Sequence, residues 1–287
     1  MWGGRRELSK VDPRDLLRSP EKLPEFEAFL QLLRDAEEIF SSEPQLLRVE
    51  SEQAIFLGDT HGDLDSAVEF WRVAESSGGL PILLGDYVDR GPLQVETLVF
   101  ILAWKVARPD SVIVLRGNHE SPLTNPYYGF THALASRYGR ESYLKVVEVF
   151  SQMPYAAIWN DSILAVHGGI ARGLEDAEEI LKFPKGDINP DDPLAMQVLW
   201  NDPDEYVEGF APSERGPGIY RFGRRAFEEF MERSDLRMLV RAHEFFPEGV
   251  RSFFDGRLLS VFSCRYYGGK PSALRLSADG KWKPIPL

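Results

Sequence analysis

Short apolar runs alternate with amphipathic stretches along most of this chain. The runs are AIFL (54–57), PILL (81–84), SVIVL (111–115), SILAV (162–166), RMLV (237–240), LLSVF (258–262) and ALRL (273–276). Each has strand length, and several are rich in Val and Ile. Between the first two, LDSAVEFWRVAESSGG (64–79) reads as a helix closed by glycines, with Asp63 as its N-cap. PLQVETLVFILAWKVA (92–107) opens with Pro92 and is apolar nearly all round, which predicts a helix buried between layers. RRAFEEFMERS (224–234) predicts a helix with Phe227, Phe230 and Met231 facing inward. Upstream, residues 24–41 carry Phe26, Phe29, Leu30, Leu33, Ala36 and Phe40 at amphipathic-helix spacing. In VDPRDLL, Pro13 suits the first turn of a shorter helix.

Alternating strands and helices imply an α/β architecture. The later strands have less helix between them, so a second, mixed sheet is expected. No repeat, low-complexity tract or clear linker interrupts the chain. Residues 1–287 therefore read as one domain, with the helices of residues 1–48 packed on it.

Composition narrows the class. Of 287 residues, 43% are hydrophobic and 27% charged, an ordinary globular balance, and 18 Phe with 6 Trp can fill a large core. A single cysteine, Cys264, excludes an intrachain disulfide and suits a reducing cytosol. The first residues have no signal-peptide pattern, and the apolar LVFILAW (98–104) is too short to span a bilayer. The expectation is a soluble, cytoplasmic protein without a membrane partner. A net charge of −12 offers nucleic acid no general binding surface. A polyanionic partner would need a local positive field, from metal ions or clustered arginines.

The candidate chemistry stands at the strand ends. AIFL is followed by GDTHG, with Asp59 and His61; PILL by GDYVDRG, with Asp86, Asp89 and Arg90; SVIVL by RGNHE, with Asn118, His119 and Glu120; SILAV by His167; RMLV by RAHE, with His243. Ligands of open α/β sheets bind beyond the carboxyl ends of strands, so these side chains are expected to converge. Four of the five histidines occupy such ends, and only His132 lies elsewhere. Any one of these motifs alone reads as turn chemistry or a satisfied buried histidine; the series has no comparable structural explanation.

Asp59, His61, Asp86, Asn118, His167 and His243 are too many ligands for one tetrahedral zinc and too rich in nitrogen for calcium. They suit two borderline transition ions, with manganese the first choice and iron, zinc, cobalt or nickel as alternatives. Asp86 is the natural bridge, with Asp59 and His61 on one ion and Asn118, His167 and His243 on the other. A water between two such ions loses a proton near neutral pH and becomes the nucleophile. His119, held by Asp89, suits a general acid. Arg90 and Arg215 suit phosphate oxygens. Arg116 and Arg241 have no assigned role. Thr60 reads as turn chemistry, and Cys264 as a small buried filler.

The series GDTHG, GDYVDRG, GNHE, HGG and RAHE resembles the phosphoprotein phosphatases, the family of protein phosphatases 1, 2A and 2B. The resemblance runs from residue 43 through LWNDPDEY (199–206) to SVFSCRYYGG (260–269). Its compact length is similar to that of the prokaryotic, especially archaeal, members, for which regulatory subunits cannot be assumed. It implies a calcineurin-like metallophosphoesterase fold, two mixed sheets in a sandwich flanked by helices. It also implies a metal-dependent protein-serine/threonine phosphatase, a hydroxide on the metals attacking phosphorus in line. The metal ligands fall on the six residues above, the general acid on His119 supported by Asp89, and phosphate contacts on Arg90, Arg215, Asn118 and Tyr267. The implied partners are phosphorylated proteins or peptides. One loop departs: where the family usually has FSAPNYCG, this chain has FSCRYYGG, with Cys264, Arg265, Tyr266 and Gly268 changed and Tyr267 kept. Two alternatives remain: a diadenosine tetraphosphate-type phosphoesterase and an inactive phosphoprotein-binding relative.

Overall fold

The protein is described here by a computed structural model covering residues 22–287, and the helix expected at Pro13 lies outside the described residues. Helix α1 (Phe26–Ser42) buries Phe29, Leu32, Leu33, Ala36 and Phe40. Phe26, placed on the same apolar face by spacing, stays exposed at the helix start. Strands β1 (Leu46–Val49) and β2 (Gln53–Leu57) follow, then α2 (Leu64–Ser77). Asp63 caps α2, accepting from the Ser66 N–H at 3.1 Å. Next come β3 (Leu80–Leu83), α3 (Gln94–Ala107), β4 (Ile113–Val114), α4 (Asn125–Tyr128), α5 (Phe130–Tyr138) and α6 (Ser142–Gln152). Beyond them lie β5 (Ala156–Trp159), β6 (Ile163–Val166), α7 (Pro193–Trp200), β7 (Asp202–Pro203), β8 (Phe210–Pro212), β9 (Tyr220–Phe222) and α8 (Arg224–Arg233). The chain closes with β10 (Met238–Arg241), β11 (Val250–Phe253), β12 (Leu258–Val261), β13 (Ser272–Ser277) and β14 (Trp282–Pro286).

The strands form two mixed sheets, β1-β5-β6-β10-β12-β11 and β14-β13-β2-β3-β4, beside a small sheet β7-β9-β8. Strand side chains alternate between faces, and the core divides accordingly. Ala54 and Phe56 point into the sandwich with Trp159, Val240 and Leu259. Ile55 and Leu57 point the other way, against α1, α2 and α3. On the far side, Leu164, Val166 and Leu239 pack on Val198, Phe227 and Phe230 of α7 and α8. Helix α3 is buried from Gln94 to Val106, as its apolar circumference predicts. Its one buried cation, Lys105, is satisfied by Glu43 and by the carbonyls of Pro109 and Val112.

The run 111–115 forms a strand only over Ile113–Val114, although the Leu115 N–H still donates to Leu83 O at 2.9 Å. β1, β11, β14 and the small sheet lack unbroken apolar runs, while β5 (AAIW) has one as long as AIFL and joins the sheet without having been expected. β14 carries Pro284 and Pro286 at a sheet edge, where the missing N–H groups cost no ladder bonds.

In the sandwich, β2, β3 and β4 run parallel, and so do β6, β10 and β12. A single bridge between Asp59 and Phe262 joins the two sets just past their ends. The strand-end motifs are thereby delivered to one edge.

Candidate metal centre

The turn after β2 is built for close approach. A Cβ on Gly58 would lie 2.1 Å from the Val261 carbonyl oxygen, so only glycine lets the chain pass β12 there. The N–H groups of Thr60 and His61 then both donate to the Asp86 carbonyl, at 3.0 and 2.9 Å. This locks the β2 turn onto the β3 turn. Gly117 does the same for the third: a Cβ there would meet Asp86 Oδ1 at 2.3 Å.

His61, Asp86, Asp89, Arg90 and His243 all have left-handed backbones, with φ of 44°, 58°, 69°, 71° and 70°. Such non-glycine conformations cost on the order of 1–3 kcal/mol each and persist where surroundings over-determine them. Here Glu120 is a main determinant. Its buried carboxylate accepts from the N–H groups of Asp86, Tyr87 and Gly117 at 2.8, 2.9 and 2.9 Å.

The side chains meet around Asp86. Its Oδ1 lies 3.3 Å from His167 Nε2, and its Oδ2 lies 3.7 Å from His61 Nε2. His61 Nε2 is 3.6 Å from Asp59 Oδ2. On the other side, His167 Nε2 is 2.8 Å from Asn118 Oδ1 and 3.2 Å from His243 Nδ1. Backbone carbonyls fix the rings: Val88 O accepts from His61 Nδ1 and Leu84 O from His167 Nδ1, each at 2.9 Å. Their Nε2 atoms are thus turned inward, the second support usual for a ligating imidazole.

The electrostatics agree with a ligand set. Burial, then the adjacent His119, pulls His61 down to about 3. Burial and Arg215 hold His243 well below its ordinary value, so both rings are neutral. Burial opposes ionisation of Asp86, but His167, His119 and His61 together hold its carboxyl well below the usual range. Burial and the Asp86 charge push Asp59 up to about 6.

These donors fit divalent ions. Ligands bound at about 2.1 Å stand roughly 3.0–3.4 Å apart around a four- or six-coordinate ion, and the spacings about His167 are 2.8, 3.2 and 3.3 Å. Two groups of three donors, His61–Asp86–His119 and Asp86–His167–His243, each lie within 4.8 Å, and they share Asp86. His119 enters the first group by proximity, with Nε2 3.9 Å from Asp86 Oδ2. Its Nδ1, however, is engaged by Asp89 Oδ2 at 2.7 Å.

A cleft of about 310 Å³ opens over these groups. Asp59, His61, Asp86, Asn118, His119 and His243 form its floor, and His167 lies fully buried behind. Arg90 and Arg215 stand on its walls with Tyr128, Trp200, Phe245, Phe262 and Tyr267. The Arg90 guanidinium rests 4.2 Å from the centre of the Tyr128 ring. Arg215 is held through Nε by Asp202.

All the expected site residues converge, while the two unassigned arginines belong to the scaffold. Arg116 is buried against the carbonyls of Glu120, Asp187 and Ile188. Arg241 is buried against Gly168 O, Glu244 and Asp202. His132 is exposed, away from the centre. Glu120, Asp202, Trp200 and Tyr128 had no role in the sequence reading. The first three stand inside its motifs RGNHE and LWNDP. Cys264 is buried, and its thiol is pushed up to about 12 by burial and then by Asp63, as befits a filler.

The family profile described as Calcineurin-like phosphoesterase matches residues 53–246, a span that holds every candidate ligand from Asp59 to His243. The chain belongs to this family. The phosphoesterase is also similar to a solved protein serine/threonine phosphatase from Saccharomyces cerevisiae with similarity to human phosphatase PP5. That pair aligns with a TM-score of 0.85 and 24% identity, over 95% of this chain and 93% of the other. The cold-active protein-tyrosine phosphatase of a psychrophilic Shewanella aligns with a TM-score of 0.59 and 20% identity, over 86% and 84%. At these identities the likeness is one of fold. Calcineurin-like phosphoesterases use a dinuclear divalent-metal centre, and the two donor groups sharing Asp86 fit one. No helix among the described residues is long and apolar enough to cross a membrane.

Proposed function

We propose that this phosphoesterase is a protein-serine/threonine phosphatase of the cytoplasm, a single catalytic unit in which α1 is part of the same body. The observation that carries the reading is the placement of one carboxylate, Asp86, between two imidazole clusters at the floor of a cleft walled by two arginines. The protein substrate is supported by the near-complete overlay on a serine/threonine phosphatase.

Asp59, His61 and Asp86 would hold one ion, and Asp86, Asn118, His167 and His243 the other, with manganese the first choice. Bound there, the ions supply Lewis acidity toward phosphate and activate water at neutral pH. The residues supply the rest. Arg90 and Arg215 orient the phosphate by hydrogen bonds to its oxygens. Asn118 Nδ2, buried and without a hydrogen-bond partner among the described residues, is a further donor to phosphate. His119 faces the cleft through Nε2, while Asp89 accepts from Nδ1. Burial works against its protonation, but Asp86 and Asp89 outweigh it and raise the pKa. The raised pKa favours the protonated ring, which gives its Nε2 proton to the departing alkoxide. Tyr267, stacked near the His61 ring, closes the wall beside the phosphate.

The test is turnover by the manganese-loaded protein on phosphoserine and phosphothreonine peptides, a phosphotyrosine peptide and diadenosine tetraphosphate. Preference for the phosphoserine or phosphothreonine peptide is expected. Preference for the dinucleotide overturns the protein substrate. Absence of turnover on every ester, p-nitrophenyl phosphate included, with manganese, cobalt, nickel or zinc marks a binding protein instead.

A further inference from the structure

The loop FSCRYYGG forms one wall of the cleft, and the chain departs there from the family it resembles. Arg265, in place of the usual proline, turns away from the cleft and toward the start of α2. Its backbone N–H and its Nε both donate to Asp63 Oδ2, at 2.9 and 3.0 Å. Its Nη1 donates to Asp65 Oδ2 at 3.0 Å. Asp63 is fully buried, and its other oxygen caps α2. One carboxylate thus serves both the helix start and the loop.

The loop hangs between two backbone anchors, Ser263 N to Asp59 O at 3.1 Å and Lys270 N to Pro247 O at 2.9 Å. Among the described residues, the hydrogen bonds that leave the loop between residues 264 and 269 all come from Arg265. Residues 265–267 make one 3₁₀ turn, so Arg265 and Tyr267 move together. The Tyr267 ring lies 5.8 Å from the His61 ring at an interplanar angle of 20°. It lies 6.0 Å from the Arg90 guanidinium. Asp63 in turn lies two residues beyond His61.

We infer that Arg265 is a positioning residue: its ion pairs with Asp63 and Asp65 hold Tyr267 over the cleft and set how substrate is gripped beyond the phosphate. A proline there would stiffen the loop by fixing φ. Arg265 does so electrostatically, on a side chain that is 37% exposed, so the constraint is open to screening by salt. The inference rests on the phosphatase reading for its kinetic consequence, though not for the order of the loop.

The test compares the full-length, manganese-loaded protein with R265A, R265K and R265P. It reads hydrogen exchange over residues 263–269, and kcat and KM on a phosphoserine peptide and on p-nitrophenyl phosphate at low and high salt. In R265A, exchange is expected to accelerate and KM for the peptide to rise by up to about fivefold, the range that a part-exposed ion pair supports. Its kcat on p-nitrophenyl phosphate should stay within about twofold, well under the effect of losing a catalytic group. R265K should recover part of the peptide KM. R265P, which also removes the backbone N–H that donates to Asp63, should lose the salt dependence and recover at most part of the peptide KM. R265K keeps both the backbone N–H that donates to Asp63 and a cationic side chain, so it keeps the test open if R265A fails to fold. Wild-type exchange rates in R265A, or equal KM changes on both substrates, overturn the inference. If wild type itself hydrolyses neither ester, the phosphatase reading fails, and the exchange rates alone decide the role of Arg265.

Discussion

His119 and Asp89 form a buried pair, with Nδ1 2.7 Å from Oδ2. Asp89 is itself fixed by Asn125 Nδ2 at 3.0 Å and by the Phe130 N–H at 3.2 Å. The imidazole therefore has one orientation and one tautomer, with Nε2 presented to the cleft. His119→Asn should lower kcat on a phosphopeptide by about 10²–10⁴-fold, the usual worth of a general acid. On p-nitrophenyl phosphate, whose leaving group needs less protonation, the loss should be smaller. Equal losses on both substrates would contradict the acid role.

Asp89→Asn tests the same pair through pH. The Asp89 charge helps to raise the His119 pKa. Activity that needs protonated His119 is lost as pH rises through that pKa. Without the charge the pKa falls, so the alkaline limb of the kcat profile should move to lower pH. A limb that stays in place would assign it to another group.

Arg215 reaches the cleft from the loop after β8, steadied by Asp202. Asp202 also binds the buried Arg241 at 2.7 Å, so the arm rests on the scaffold. Arg215→Ala should mainly raise KM for phosphoesters. An unchanged KM would remove Arg215 from the phosphate site.

Metal binding should release protons. Asp59, pushed up to about 6, binds a proton below that pH in the metal-free protein. Burial works against protonation of His167, but Asp86 and then Asp59 outweigh it and raise its pKa, so this ring competes with an ion for a proton more strongly than a free imidazole does. An incoming ion must displace these protons. Affinity for manganese should therefore fall with decreasing pH, by about tenfold per unit for each proton displaced. Calorimetry in buffers of different ionisation enthalpy reads the proton count. Binding without proton release would mean that neither side chain is a ligand.

The centre was legible because each ligand directly follows an apolar strand, and in a parallel array the ends of such strands must converge. Asp59, His61, Asp86, Asn118, His167 and His243 all obey that rule. Arg116 and Arg241 obey it as well, yet both turn inward to buried carbonyls and carboxylates, partners that sequence position does not reveal. Glu120 was visible as part of GNHE, but its task is to hold three backbone N–H groups contributed by two turns. That follows only from the fold. The same limit applies to β1 and β11, whose LLRV and VRSF are interrupted by arginines.

The measurement that tests the account most directly is a crystal structure of the protein grown with manganese and phosphate, read by anomalous scattering. Two ions are expected about 3.5–4 Å apart, with the Asp86 carboxylate between them, Asp59 and His61 on one side, and Asn118, His167 and His243 on the other. A single ion, or two ions without Asp86 in common, would contradict the account.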